Sequence, residues 1–155
     1  KGVPAVYLPS LFGALNDLEG VKKTGRARSI NREKWELTDL QAKLKQPGPY
    51  QQVFQEYLLL LRRRAGFPAF HPNAGQTVYD CGPETFVAER FSENQRILCV
   101  YNFTPRKRTF NGLKDITTFE DVATFHEIIS GKTLKPRKRG LQLEPYQAVW
   151  LIAKR

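Results

Sequence analysis

The sequence contains no methionine, and in 155 residues it has only two cysteines, two histidines and two tryptophans. Cys81 and Cys99 cannot build a disulfide framework, and they point to a reducing, cytoplasmic compartment. His71 and His126 are isolated from each other and from the cysteines, so no metal-ligand spacing exists and no cofactor is expected. No run approaches the ~18 apolar residues of a membrane-spanning helix. The opening Lys1-Gly2-Val3-Pro4 lacks the charged-then-apolar layout of a signal peptide, and no membrane partner is expected. A glycine-rich phosphate loop and a GxSxG elbow are both missing. There is no internal repeat and no low-complexity segment.

What is present is the composition of a folded domain: 41% apolar, 12% aromatic and 26% charged residues. This is too apolar for a disordered tail, and the length suffices for a real core. The chain opens inside a strand-like run, GVPAVYL, and has no initiator methionine. Both features lead us to expect a piece of a longer protein.

Acidic residues are in the minority, 15 against 25 lysines and arginines, for a net charge of +10. The cations cluster at Lys22, Lys23, Arg26, Arg28 and Arg32, at Arg62–Arg64, at Arg106–Arg108, and at Lys135 with Arg137–Arg139. A basic module that binds nucleic acid or another polyanion is therefore the alternative functional reading. No recognition helix, zinc-finger spacing or aromatic RNA-binding signature accompanies the charge, so solvated surface is the better reading and no nucleic acid partner is expected.

The composition divides near Phe67-Pro68. The first part reads strand, loop, helix. Val3–Leu8 is a continuous apolar run of the kind found in buried parallel strands. The stretch from Pro9 to Arg32 exceeds ordinary loop length, which predicts function or partial helicity. Thr38-Asp39 is placed to cap a short helix over Leu40–Lys45. A longer helix is predicted from Pro49 to Ala65, with Val53, Phe54, Tyr57, Leu58, Leu60 and Leu61 on one face. Pro49 suits its first turn, Arg62–Arg64 complement the dipole at its end, and Gly66 and Pro68 stop it.

The second part reads as antiparallel β-structure. Predicted strands cover Gln76–Tyr79, Thr85–Phe91, Arg96–Phe103, Thr109–Leu113, Glu127–Ser130, Thr133–Leu134, Leu141–Leu143 and Tyr146–Ile152. Ser92-Glu93-Asn94-Gln95 forms a hairpin turn. Short strands at this spacing argue for a small β-sandwich. Cys99 and Trp150 read as core, Cys81 as a surface turn residue, and His126 as a sheet-surface residue. His71 is as well placed for packing as for contacting a ligand.

Two groups in the first loop are candidates for chemistry. Asp17 and Glu19 form a close carboxylate pair, a pattern more often structural than acid–base. Gly25–Arg32, GRARSINR, places three arginines and an asparagine beyond a strand end, where they can orient a hydroxyl, carboxylate or phosphate or else form salt bridges that hold the loop.

These residues resemble a known family. Gly2-Val3-Pro4-Ala5-Val6-Tyr7, Asn16-Asp17 and Ile30-Asn31-Arg32 are similar in order to the last barrel strand and following loop of glycoside hydrolase family 13, in its sucrose phosphorylase-like branch. RILCVYNFT, EIISGKT and LQLEPYQAVWL resemble segments of that family's C-terminal β domain. The resemblance implies an α+β chain: residues 1–67 as the last strand, loop and helix of a (β/α)8 barrel, and residues 68–155 as an antiparallel β-sandwich. It implies a parent enzyme that acts with retention on an α-glucosidic bond through two carboxylates, with phosphate replacing water in the phosphorylases. The family's catalytic residues lie on earlier barrel strands, so this segment alone is expected to be inert. The arginine before the I-N-R tract contacts substrate in these relatives, and it matches Arg28. Ser29 departs from the aspartate found there. The implied partners are an α-glucoside, phosphate and the remainder of the barrel. Val3, Val6, Tyr7, Tyr57 and Leu61, cut from barrel neighbours, are expected to dock on the sandwich, to dimerise or to contact a companion chain.

Overall fold

The computed structural model describes residues 4–116, 118–136 and 140–154. The described chain forms two compact units, residues 4–62 and residues 63–154. The readings made above for Gly2, Val3 and the Arg137–Arg139 cluster lie outside the described residues.

The first unit is helical. Helices α1 (Leu8–Leu11), α2 (Leu18–Thr24), α3 (Leu37–Lys45) and α4 (Pro49–Ala65, which runs past this unit) are joined by loops and a 3-10 turn over Ala27–Asn31. The predicted loop from Pro9 to Arg32 is thus largely helical. Asp17 starts α2 by accepting the Gly20 N–H at 2.7 Å, and Gly25, at φ 63°, ends it in the left-handed conformation that glycine adopts freely. Helix α3 begins one turn earlier than predicted. Glu36 occupies the cap, and its carbonyl accepts the Leu40 N–H, so Thr38 and Asp39 lie inside the first turn. Helix α4 has the predicted bounds, and its predicted apolar residues are all half-buried. Gly66 closes it through a bond to the Arg63 carbonyl rather than through a left-handed turn.

The predicted buried strand over Val3–Leu8 is not formed among the described residues. Residues 4–7 are exposed and in no strand, and Leu8 already belongs to α1. A parallel strand buried on both faces needs neighbours on both edges, and no strand in the described chain pairs with this segment. Phe12 is the only buried hydrophobic residue among the described residues of the unit. Its ring lies 6.0 Å from Trp35 and 5.3 Å from Phe54, and Tyr50 meets Trp35 edge-on at 5.8 Å. Lys43 covers both Trp35 and Tyr50 with its ammonium.

The second unit is a β-sandwich. Its strands are β1 (Gly75–Tyr79), β2 (Thr85–Ser92), β3 (Gln95–Asn102), β4 (Arg108–Phe110), β5 (Phe125–Glu127), β6 (Thr133–Leu134), β7 (Leu141–Leu143) and β8 (Ala148–Ala153). Six of them form an antiparallel sheet in the order β1-β2-β3-β8-β5-β6, and β4 pairs with β7. Ser92 opposes Gln95, which makes the predicted hairpin turn. Val87, Leu98, Val100, Val149 and Leu151 from the large sheet pack with Phe110, Leu141 and Leu143 from the small one, and Phe119 and Phe125 close the layer.

Three strands depart from their predicted bounds: β4 stops at Phe110, β5 lies over Phe125–Glu127 and shares only Glu127 with the predicted Glu127–Ser130, and β8 begins at Ala148 rather than Tyr146. The ring of Phe110 lies against Gly112, and the chain turns there into a 3-10 segment over Gly112–Asp115. Strand β5 ends at Glu127 because its carboxylate takes the N–H groups of Ile129 and Ser130 at 2.8 and 2.6 Å, folding them into a turn. The same carboxylate accepts the Trp150 N–H at 3.1 Å.

The opposite face of the large sheet is also covered. Ala69 and Phe70, in a 3-10 turn over Pro68–Phe70, are buried, and Phe70 meets Trp150 at 4.7 Å. Buried Arg90 donates to the carbonyls of Ala69 and His71 and to Gln76 Oε1. Buried Glu89 accepts from the Tyr79 hydroxyl and from Arg96. Polar residues on both sides of β2 are therefore buried with partners, as internal charges require.

Candidate functional site

The 3-10 turn that carries Arg28 is fastened on three sides. The Asp17 N–H donates to the Ile30 carbonyl at 2.6 Å. The Tyr7 hydroxyl donates to the Asn31 carbonyl at 2.8 Å. The hydroxyls of Thr24 and Ser29 share a hydrogen bond of 2.7 Å. Thr24 Oγ1 also donates to the Gly20 carbonyl and accepts the Arg26 N–H, so it ties the end of α2 to the start of the turn. The left-handed Gly25 between them makes the reversal possible.

On this scaffold Arg26, Arg28 and Arg32 are all exposed. Their guanidinium groups make no hydrogen bond or ion pair with any described residue. The salt bridges considered for this loop are therefore absent among the described residues. Of the two carboxylates noted nearby, Asp17 is spent capping α2, and Glu19 pairs with Lys22 at 2.8 Å. Their roles are structural, and the loop keeps a cationic surface suited to anionic or hydroxyl-rich ligands.

An apolar cavity of about 190 Å³ lies in the same unit, lined by Phe12, Trp35, Leu8 and Leu15, with Asn31 and Glu33 among its polar residues. Trp35 Nε1 is buried without a hydrogen-bond partner. Sequence reasoning did not find the cavity, the Thr24–Ser29 contact or the orphaned indole. Only the threonine-glycine pair that ends α2 hinted at a fastened turn.

The second unit holds its reactive groups in structural roles. Cys99 is buried, and burial pushes its thiol up to about 12. Burial likewise raises the Tyr101 phenol to about 12, and its oxygen accepts the Trp150 indole N–H at 2.9 Å. Cys81 is a correction to the surface-turn reading: it is half-buried and packs against the core, and burial followed by Asp80 raises its thiol pKa. His71 is exposed, and its Nδ1 accepts the Asn73 N–H. His126 lies in β5 opposite Thr133 and Ile152. Asn102 is buried between its own loop and the turn before β8: it donates to the carbonyls of Arg106 and Glu144 and accepts from the Thr104 N–H and hydroxyl. The Asn-Phe-Thr signature is thus a structural tie. Among the described residues no group of three or more His, Cys, Asp or Glu is placed to hold a metal ion. No described helix is long and apolar enough to cross a membrane.

No protein-family model matches the chain. Individual relatives do. A glucosylglycerate phosphorylase of Allomeiothermus silvanus is 32% identical over 155 residues, covering 98% of this chain and 24% of that protein. A second, from Spirochaeta thermophila, is 32% identical over 159 residues, covering 97% of this chain and 27% of that protein. The solved structure of AmyP E221Q in complex with maltotriose shares the fold at a TM-score of 0.59 and 13% identity, over 72% of this chain and 22% of that one. The chain belongs to the sucrose phosphorylase-like branch of glycoside hydrolase family 13. It spans about a quarter of the length of the relatives it matches. In this family 13 chain the antiparallel sheet and few helices match the C-terminal region of such enzymes.

Proposed function

We propose that the chain is the C-terminal part of a glucoside phosphorylase that works with retention on an α-glucosidic bond. Residues 1–67 supply the end of the barrel and residues 68–155 the C-terminal β domain. The similarity to glucosylglycerate phosphorylases over nearly all of the chain carries this reading. In it the attacking and proton-donating carboxylates lie in the part of the enzyme that precedes these residues, and phosphate takes the glucosyl group from the enzyme. The segment is inert alone.

Arg28 is the substrate-binding residue of the segment. Its guanidinium is exposed and has no hydrogen-bond or ion-pair partner among the described residues, and its turn is fastened from three sides, so it is placed to donate to glucosyl hydroxyls. The cationic loop favours an acidic glucoside such as glucosylglycerate over a neutral one. Val6, Tyr7, Leu8, Leu15, Leu18, Leu37 and Leu59, exposed in the first unit, are covered by the remainder of the enzyme. The complete protein works in a reducing, cytoplasmic compartment.

The test is a substrate panel with the complete enzyme and inorganic phosphate: glucosylglycerate, glucosylglycerol, sucrose and sucrose 6-phosphate. Phosphate-dependent release of a glucose phosphate is expected, fastest from glucosylglycerate. Release from none of them overturns the reading.

A further inference from the structure

We propose that Thr24 and Ser29 are positioning residues that hold Arg28 in its binding geometry, an inference that rests on the reading of Arg28 as a substrate-binding group. The 3-10 turn Ala27–Asn31 fully buries none of its residues: Ser29 and Ile30 are half-buried, and Ala27, Arg28 and Asn31 are exposed. A short exposed segment of this kind opens locally at little cost unless hydrogen bonds restrain it. Of its three fastenings, those at Ile30 and Asn31 lie beyond Arg28 in the chain, and both hold backbone carbonyls. The Thr24–Ser29 bond is the one side-chain pair among them, and it acts on the residue next to Arg28.

Thr24 is itself anchored. Its hydroxyl donates to the Gly20 carbonyl at 2.7 Å and accepts the Arg26 N–H at 3.3 Å. With the proton of Thr24 given to Gly20, Ser29 is the donor across the pair. Arg26 and Ser29, on either side of Arg28, are thereby tied to the same oxygen. The fastening is also electrically neutral.

The experiment uses the complete enzyme with Ser29→Ala, Thr24→Val, the double variant, Ser29→Thr and Arg28→Ala, each assayed for kcat and KM toward the glucosyl donor and for Tm. Loss of one hydrogen bond that pre-orients a binding group is expected to raise KM about five- to tenfold at unchanged kcat, with Tm held within about 2 °C. Ser29→Thr keeps the hydroxyl and is expected to stay within about twofold of the parent. The double variant is expected to cost no more than Thr24→Val alone, which already removes the shared contact along with the Gly20 and Arg26 bonds. If Arg28→Ala raises KM while Ser29→Ala and Thr24→Val do not, the positioning role is overturned and the binding role of Arg28 stands. If Arg28→Ala leaves KM unchanged, the binding role itself falls and the positioning role with it. Additive effects, or no rescue by Ser29→Thr, also overturn the proposal.

Discussion

Asn102 offers a demanding test of how the β-sandwich is held. Its side chain is 1% exposed and makes four hydrogen bonds: Nδ2 donates at 2.7 Å to Arg106 O and at 2.8 Å to Glu144 O, and Oδ1 accepts at 3.0 and 2.8 Å from the Thr104 N–H and hydroxyl. It thereby joins the end of β3 to the loop before β4 and to the turn before β8. Asn102→Ala removes all four bonds and leaves the Thr104 N–H and two carbonyls to find new partners in a site with little room for water. With roughly 1 kcal/mol for each bond and some recovery by relaxation, the expected loss is about 3 kcal/mol. A urea titration followed by Trp150 fluorescence measures it. Within residues 1–155 a Trp35→Phe background makes Trp150, buried between Phe70 and Tyr101, the only indole. With a slope of about 1–3 kcal/mol per M, the midpoint falls by about 1–3 M. A loss below about 1 kcal/mol would refute the reasoning, because it would mean that the enclosed amide contributes no more than a surface side chain.

The remaining predictions concern other parts of the chain. Glu127→Gln keeps one acceptor oxygen against the N–H groups of Ile129, Ser130 and Trp150 and loses the charge, so about 1–2 kcal/mol of stability should be lost in the same titration. Cys81 should react with iodoacetamide at pH 8 well before Cys99, whose burial raises its thiol to about 12; equal rates by mass spectrometry would contradict the packing. Cys99 and Tyr101 both have folded-state values raised above 9.0 and 10.0, so the native state holds protons that the unfolded state releases. Stability is then full below about pH 9 and falls as pH rises toward 12, and a flat alkaline stability profile would contradict it. Gly20→Ala places a Cβ against the Asp17 carboxylate and breaks the cap of α2, at a cost of about 1 kcal/mol in the first unit by amide exchange of residues 18–24.

The sandwich was legible because its strands carry their own signals. TFVAERF and RILCVYNF alternate around a four-residue turn, and both strands formed in register with Ser92 opposite Gln95. The alternation did not reveal that both faces are covered, since Glu89 and Arg90 look like solvent-facing residues until Tyr79, Arg96 and the Ala69 and His71 carbonyls are brought to them. Helix α4 was legible from Pro49 at its start and its apolar spacing. The opening run formed no strand among the described residues, because a buried parallel strand needs paired neighbours and no described strand pairs with residues 4–7. At the candidate site the GRARSINR tract drew attention by composition, and the cations are there, exposed and without an ion pair to any described residue. The Thr24–Ser29 contact was illegible because two small hydroxyl residues five positions apart meet only once Gly25 reverses the chain.

The central claim is that these residues complete a phosphate-dependent glucoside enzyme whose reactive carboxylates lie elsewhere in its chain. The direct measurement is glucose phosphate formation from glucosylglycerate and phosphate, run side by side with the complete protein and with residues 1–155 alone. The account predicts turnover by the complete protein, abolished when phosphate is omitted, and none by the isolated residues. Turnover by the isolated 155 residues, or phosphate-independent behaviour of the complete protein on every glucoside tested, would contradict it.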